Sequence, residues 1–333
     1  MYKLLVAICL CVNILSGCGV SRKQDPDFKI GITVYDAYDT FISSITGYLQ
    51  SEFEKDGQFN VEFQDARQDQ LKQNEQVKDL LASGVDVLCV NLVDRTAPKK
   101  IINLAKEANV PVIFFNRELV EEDLLTWTKL YYVGAHARES GEMEGEIAAD
   151  ACKKEEADKN QDGVIQYVIL EGEAIHQDTA IRTDYSVRTI EENGVNLEKL
   201  GASIANWNRR EAQTKMNQFL EEYGDSIELV IANNDDMALG AIDALEDANI
   251  PAEQWPVITG IDGTDVGLQA VKEGKMAGTV FNDAHGQAKS IADLAMRLAQ
   301  GMSLAPLHME QEKYIFLPYQ IVTPENVADY MDD

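Results

Sequence analysis

From Lys29 onward the chain alternates short apolar runs with amphipathic stretches. The runs "KIGITVY", "NVEFQDA", "VDVLCVNLV", "VPVIFFN" and "LYYVGA" are rich in β-branched and aromatic residues and are bounded by polar residues or Gly, which marks them as strands. Residues 70–83 ("QLKQNEQVKDLLAS") and 96–108 place their apolar positions at helical spacing between them. The pattern then restarts with "IQYVILEG", "ELVIANN", "PVITGID" and "AGTVFND", separated by predicted helices near 176–193, 208–223, 235–249 and 264–273. Strands apolar on both faces and separated by helices imply a parallel sheet covered on both sides. About ten strands are too many for one compact open sheet of this length, so two doubly wound α/β domains are expected, with a closed (β/α)8 barrel as the alternative. The two-domain reading also accounts for Asn116, Asn234, Asp262 and Asn282, polar residues that each end a strand. Ligands of open α/β sheets lie beyond the carboxyl ends of the strands, and two facing sheets would share one cleft there.

Composition changes this picture little: 45% of the 333 residues are hydrophobic and 26% charged. The formal net charge of −28 argues against binding the phosphates of nucleic acid. The N-terminus adds a location. Lys3 precedes the apolar run "LLVAICLCVNILSG", too short for a comfortable membrane span, and the run ends in "LSGC". That order of leucine, two small residues and cysteine matches a bacterial lipobox. It predicts a signal peptide over 1–17, lipidation of Cys18 and a polar tether over 18–27, with an ordinary secretory signal or a buried strand as alternatives. Extracytoplasmic anchoring at the cell membrane, or release into the periplasm, follows. Cys89 and Cys152 fall in different elements and are expected to be reduced.

Residues 158–166, "DKNQDGVIQ", carry oxygen-bearing side chains at the first, third and fifth places and Gly163 at the sixth. This is the front half of an EF-hand calcium loop, but Ile169 stands where such a loop needs its bidentate glutamate. From the residues alone, a polar turn and a metal site both remain open.

The motifs "YDAYDTF", "DQLKQNEQ", "VPVIFFN", "YYVG", "DKNQDGVIQ", "HQDTAIR", "VIANNDDMALGA", "GID", "AGTVFNDA" and "LPY" occur in an order that resembles the periplasmic galactose/glucose-binding protein family, sugar-binding components of ABC transporters. The resemblance covers nearly all of the chain from Lys29. It implies a periplasmic binding protein type I fold, with lobes at 28–134 plus 284–314 and at 135–283 plus 315–333. Three hinge crossings are expected near Gly134–His136, Asn282–Gly286 and Ile315–Pro318. It implies a hexose ligand, D-galactose or D-glucose, an ABC permease as partner, a monomeric state and no enzymatic activity.

The chemistry of the matched positions suits a pyranose. Hydroxyls both donate and accept, so planar Asp, Asn and Arg side chains hold them, while ring C–H faces stack on aromatics. By resemblance, Phe41 and Trp207 would sandwich the sugar and Asp39 would take the hydroxyl that distinguishes galactose from glucose. Asn116, Asp178, Asn234, Asp262 and Asn282 would take the others, with His176 and Arg182 donating. Arg117, where the family usually has lysine, is expected at the rim. For "DKNQDGVIQ" the resemblance implies structural Ca2+ held by Asp158, Asn160 and Asp162, the Val164 carbonyl, Gln166 and the distant Glu228.

Three rival functions remain. A sugar-responsive repressor would carry a basic helix-turn-helix where this chain has "LSGC". A glycosidase would use a pair among Asp39, Asp178 and Asp262. A sensor would present the sugar to a chemoreceptor or histidine kinase.

Overall fold

The computed structural model describes residues 28–154 and 156–331; the signal, tether and Cys18 lie outside the described residues. The first run of elements is β1 (Phe28–Val34), α1 (Thr40–Asp56), β2 (Phe59–Asp65), α2 (Gln70–Ala82), β3 (Val87–Val90), α3 (Lys99–Ala108), β4 (Val112–Phe115), α4 (Glu121–Leu124) and β5 (Leu130–Gly134). The second is α5 (Ala137–Cys152), β6 (Ile165–Glu171), α6 (Gln177–Glu192), β7 (Leu197–Ile204), α7 (Arg209–Tyr223), β8 (Leu229–Ala232), α8 (Asp235–Asp247), β9 (Val257–Asp262), α9 (Asp265–Lys272) and β10 (Gly278–Asn282). The chain closes with α10 (Ala284–Ala299), β11 (Tyr314–Phe316) and β12 (Tyr319–Val322).

These strands form two separate six-stranded sheets, ordered β11-β5-β4-β3-β1-β2 and β12-β10-β9-β8-β6-β7, and no closed barrel. Every pairing is parallel except β10 with β12. Strand alternation feeds two cores per sheet. In β3, Val87 and Cys89 pack with Ile42, Leu49, Ile291 and Leu294 of α1 and α10, while Leu88 and Val90 pack with Val77, Leu80, Ile101 and Ile102 of α2 and α3. In β8, Val230 and Ala232 face α7 and α8, and Leu229 and Ile231 face Ala148, Cys152 and Ile190 of α5 and α6. Burial on both faces explains why these strands read as unbroken apolar runs. Cys89 and Cys152 are free and buried, and burial pushes both thiols up to about 12.

Each sheet reverses its winding at its earliest strand: β1 lies between β3 and β2, and β6 between β8 and β7. The carboxyl ends of β1 and β4 in one sheet, and of β6, β8 and β9 in the other, carry the loops that meet between the lobes.

Candidate functional site

Three helices begin at the cleft, and their N-caps are site residues. Asp39 caps α1, its Oδ1 accepting the Ile42 amide at 2.9 Å; His176 caps α6, its Nδ1 accepting the Asp178 amide at 3.1 Å; Asn234 caps α8, its Oδ1 accepting the Met237 amide at 3.0 Å. Capping explains why these residue types stand at these positions, and it fixes each side chain. It does not exhaust them. A carboxylate offers about four lone pairs, and a neutral imidazole with Nδ1 accepting keeps an Nε2–H to donate.

The cleft is nearly shut, leaving a cavity of about 30 Å³ between the lobes. Nine of the ten residues expected to bind sugar line it: Asp39, Phe41, Asn116, His176, Asp178, Arg182, Trp207, Asn234 and Asp262. Asn282 stands behind them, its Nδ2 donating to Asp262 Oδ1 at 3.3 Å and its Oδ1 accepting from Gln287 at 2.7 Å. A wider open hollow of about 1050 Å³ beside Glu228 shares none of these ten residues.

Of the twelve non-glycine residues with positive φ among the described residues, three line the cleft. Asn116 (φ 60°), Trp207 (φ 61°) and Asp262 (φ 118°) all have positive φ, a conformation costing a non-glycine residue on the order of 1–3 kcal/mol. Asp235 helps to hold the last of these: its buried carboxylate accepts the Thr264 amide at 2.8 Å and the Thr279 hydroxyl at 2.6 Å, pinning the turn after Asp262. The Trp207 ring lies against Gly172, where even a Cβ would collide with it.

Arg182 organises the acids. Its Nη1 donates to the Asn233 carbonyl at 2.8 Å and its Nη2 to the Tyr319 hydroxyl at 3.2 Å, with Asp178 at 3.4 Å and Asp262 at 3.9 Å. Burial opposes the charge on Arg182, but the surrounding acidic groups outweigh it and raise its pKa. Burial raises Asp178, Asp262 and Asp39 above the ordinary carboxylate range, against the pull of Arg182 on the first two and of the Tyr35 hydroxyl on Asp39. His176 is driven well below its usual value by burial and then by Arg117 and Arg182, so it is a neutral donor. Among the described residues, three buried side-chain N–H groups find no partner: Arg117 Nε, Arg182 Nε and Trp207 Nε1. Their residues all line the cleft.

Sequence reasoning missed a wall of this site. Arg117 is not at the rim; it is 3% exposed, its guanidinium lies 3.4 Å over the Tyr35 ring, and it forms a two-pronged ion pair with Glu173 at 2.9 Å per contact. Arg117 follows β4 and Glu173 follows β6, so the pair ties one lobe to the other. Thr40 Oγ1 to Asp236 Oδ2 at 2.6 Å, and Arg95 to Gln177 at 2.7 Å, do the same. The only advance signal was Tyr35, an aromatic at the end of the first strand.

The 158–166 loop folds on itself. Asp158 accepts the amides of Asp162 (3.2 Å) and Gly163 (2.9 Å), and Asn160 Nδ2 donates to both Asp162 Oδ2 (3.0 Å) and Gln166 Oε1 (3.1 Å). Glu228 is 1% exposed and accepts from the amides of Lys159 (2.7 Å), Asn160 (3.3 Å) and Gln166 (3.1 Å). Among the described residues no three His, Cys, Asp or Glu side chains converge as a metal cluster. The donor set nevertheless fits a hard cation, since Asp158, Asn160, Asp162, Gln166 and Glu228 all bring oxygen and the carboxylates retain spare lone pairs.

Two α/β lobes closed over a buried polar cleft define a binding protein, and the comparisons agree. The chain belongs to the periplasmic binding protein domain family, whose model matches residues 30–303. The D-galactose/methyl-galactoside binding periplasmic protein MglB of Haemophilus influenzae is 34% identical over 309 residues, 92% of each chain. A putative rhizopine-binding protein of Rhizobium meliloti is 33% identical over 272 residues, 81% of this chain and 82% of that one. An ABC transporter solute binding protein from Bacillus halodurans, solved with bound myo-inositol, superposes with a TM-score of 0.77 at 31% identity, over 92% of this chain and 98% of its own. This chain is thus a solute-binding protein and not an enzyme. The fold is that of type I periplasmic binding proteins. Among the described residues no helix is long and apolar enough to cross a membrane.

Proposed function

We propose that this protein captures D-galactose or D-glucose in its interlobe cleft and delivers the sugar to an ABC transporter. The observation that carries this reading is that three unpartnered buried N–H donors, the buried carboxylates of Asp178 and Asp262 and the half-buried carboxylate of Asp39 belong to residues lining one cleft, with Phe41 and Trp207. A buried donor without an acceptor is costly, and a polyol supplies the missing acceptors while its own hydroxyls donate to Asp39, Asp178 and Asp262. Asp39 takes the C4 hydroxyl, axial or equatorial, with the lone pairs left over from Tyr35 and Ile42. Asn116, Asn234 and His176 complete the shell, and Asn282 acts through Asp262. The interlobe bonds favour closure, which a ligand stabilises only through its better contacts with the closed form.

Two further elements belong to the proposal. Ca2+ at the 158–166 loop and Glu228 would tie that loop to β8 as a structural staple. A lipid on Cys18 would hold the protein at the outer face of the cell membrane, where it serves the permease as a monomer.

The test is calorimetric titration with D-galactose, D-glucose, D-ribose and myo-inositol. A hexose Kd of about 1 µM or tighter is expected, with the others at least about tenfold weaker. No hexose binding overturns the reading. A cyclitol is the second reading, favoured by the 31% identical structure holding myo-inositol, and tighter inositol binding would select it.

A further inference from the structure

Beyond the cleft lies a second hollow. Its volume is about 360 Å³; it opens between the lobes and is lined by Gln68 and Val93 from one lobe and Ile175, Asn206 and Glu211 from the other. Tyr35 and Arg117 line both this outer groove and the inner cleft, and Glu173 lines the outer side. The Tyr35 ring, the Arg117 guanidinium stacked on it and the Glu173 carboxylate therefore stand between the two spaces as one layer.

That layer is rigidly built. Arg117 Nη1 also donates to the Val93 carbonyl at 3.0 Å, so both terminal nitrogens are committed and the side chain cannot swing without breaking three bonds. Tyr35 is held from below by its hydroxyl, which donates to Asp39 Oδ2. The pair is only slightly exposed, with side-chain exposures of 4% and 18%, so its separation would uncover a buried charge.

We propose that the Arg117–Glu173 pair, backed by Tyr35, is a size-selecting wall that restricts the ligand to a monosaccharide free of bulky substituents at O4 and O6. The outer groove is the space a second sugar ring would occupy if the wall were absent. This rests on the hexose reading above: the sugar's C4 hydroxyl meets Asp39, Asp39 is bonded to Tyr35, and so the wall faces the C4 end of the ring. Substituents at O4 or O6 are the ones excluded. Arg117 and Glu173 thereby act as specificity determinants.

The experiment compares wild type, Arg117→Ser and Glu173→Ala by calorimetry. The probes are D-glucose, D-galactose, 4-O-benzyl-D-glucose and 6-O-benzyl-D-glucose, the last two being single pyranoses with a ring-sized substituent at the walled end. The wild type should bind the benzyl ethers at least about a hundredfold more weakly than the free sugars, and at least one variant should narrow that gap about tenfold or more. A gain of binding cannot arise from misfolding. The proposal is overturned if the wild type binds a benzyl ether within about tenfold of its free sugar. It is equally overturned if the variants keep free-sugar binding but gain no benzyl ether, or if both lose the free sugar as well. A wild type that prefers myo-inositol sinks only the hexose reading, and an O-benzyl inositol then replaces the benzyl ethers in the same comparison. A wild type that binds none of these ligands overturns both.

Discussion

The cleft and the 158–166 loop are both polar clusters at strand ends, yet they treat their own hydrogen bonds in opposite ways. In the loop, the oxygens of Asp158, Asp162 and Glu228 are met by main-chain amides of the same segment. In the cleft, Arg117 Nε, Arg182 Nε and Trp207 Nε1 are buried without acceptors. A cluster that satisfies itself is scaffold, and a guest there adds stability. Unspent donors mark a cluster whose guest completes it.

That contrast can be broken most forcefully at Arg182. Arg182→Met leaves Asp178 and Asp262 buried without their cation, and hexose affinity should fall by about 3 kcal/mol or more, over a hundredfold by calorimetry. A loss below about tenfold would mean that the acids are not held for the sugar. Next in size is the loop. Ca2+ at about a hundredfold above its Kd should raise the melting temperature by roughly 5–10 °C, a response that EDTA and Glu228→Gln each remove while sugar still binds. Loss of sugar binding on chelation would erase the distinction between guest and scaffold.

A smaller effect separates ligand acids from structural ones. Burial raises both Glu144 and Asp235 to about 7, against their bonds to Ser186 and Thr259 in one case and to Thr279 and Thr264 in the other. Between pH about 4 and 7 the folded state holds protons that the unfolded chain has released, so their contribution makes stability fall as pH rises through that window. Glu144→Gln and Asp235→Asn should each flatten the decline of melting temperature over that range, and an unaltered slope would show these acids to be uninvolved. The least effect belongs to Thr40→Val, which removes one interlobe bond to Asp236 and should weaken sugar binding by about 1 kcal/mol at most, roughly fivefold. A larger loss would show that closure hangs on that single bond.

Much of the fold was legible because its strands are buried on both faces. The runs around Cys89 and Ile231 have no polar side to confuse the pattern, and the helices expected near 176–193 and 208–223 appear as Gln177–Glu192 and Arg209–Tyr223. About ten strands were expected, but there are twelve, for physical reasons. β7 is a half-exposed edge strand carrying Glu198 and Lys199, and β11 and β12 span only 3 and 4 residues. Of the site, the matched motifs carried eight cleft residues, and Trp207 was placed by the resemblance outside any of them. Arg117 escaped because its burial depends on Glu173, 56 residues away on the facing lobe. Asn282 shows the converse: it ends its strand as expected, but it bonds to Asp262, which lines the cleft in its place.

The interleaving of the two sheets bears on how such a chain comes off the ribosome. Strand β11 completes the first sheet by pairing Tyr314 with Tyr132, and α10 supplies Ile291 and Leu294 to that sheet's core. The second sheet gains its last strand only at Tyr319–Val322. Emerging first confers no head start, because the early half keeps an open edge at β5 and an uncovered apolar face until the late segments arrive. Such unfinished surfaces are what holding chaperones recognise and what drives nascent chains to clump. A premature stop beyond Asn282 would therefore produce two incomplete lobes instead of one sound lobe and one damaged lobe.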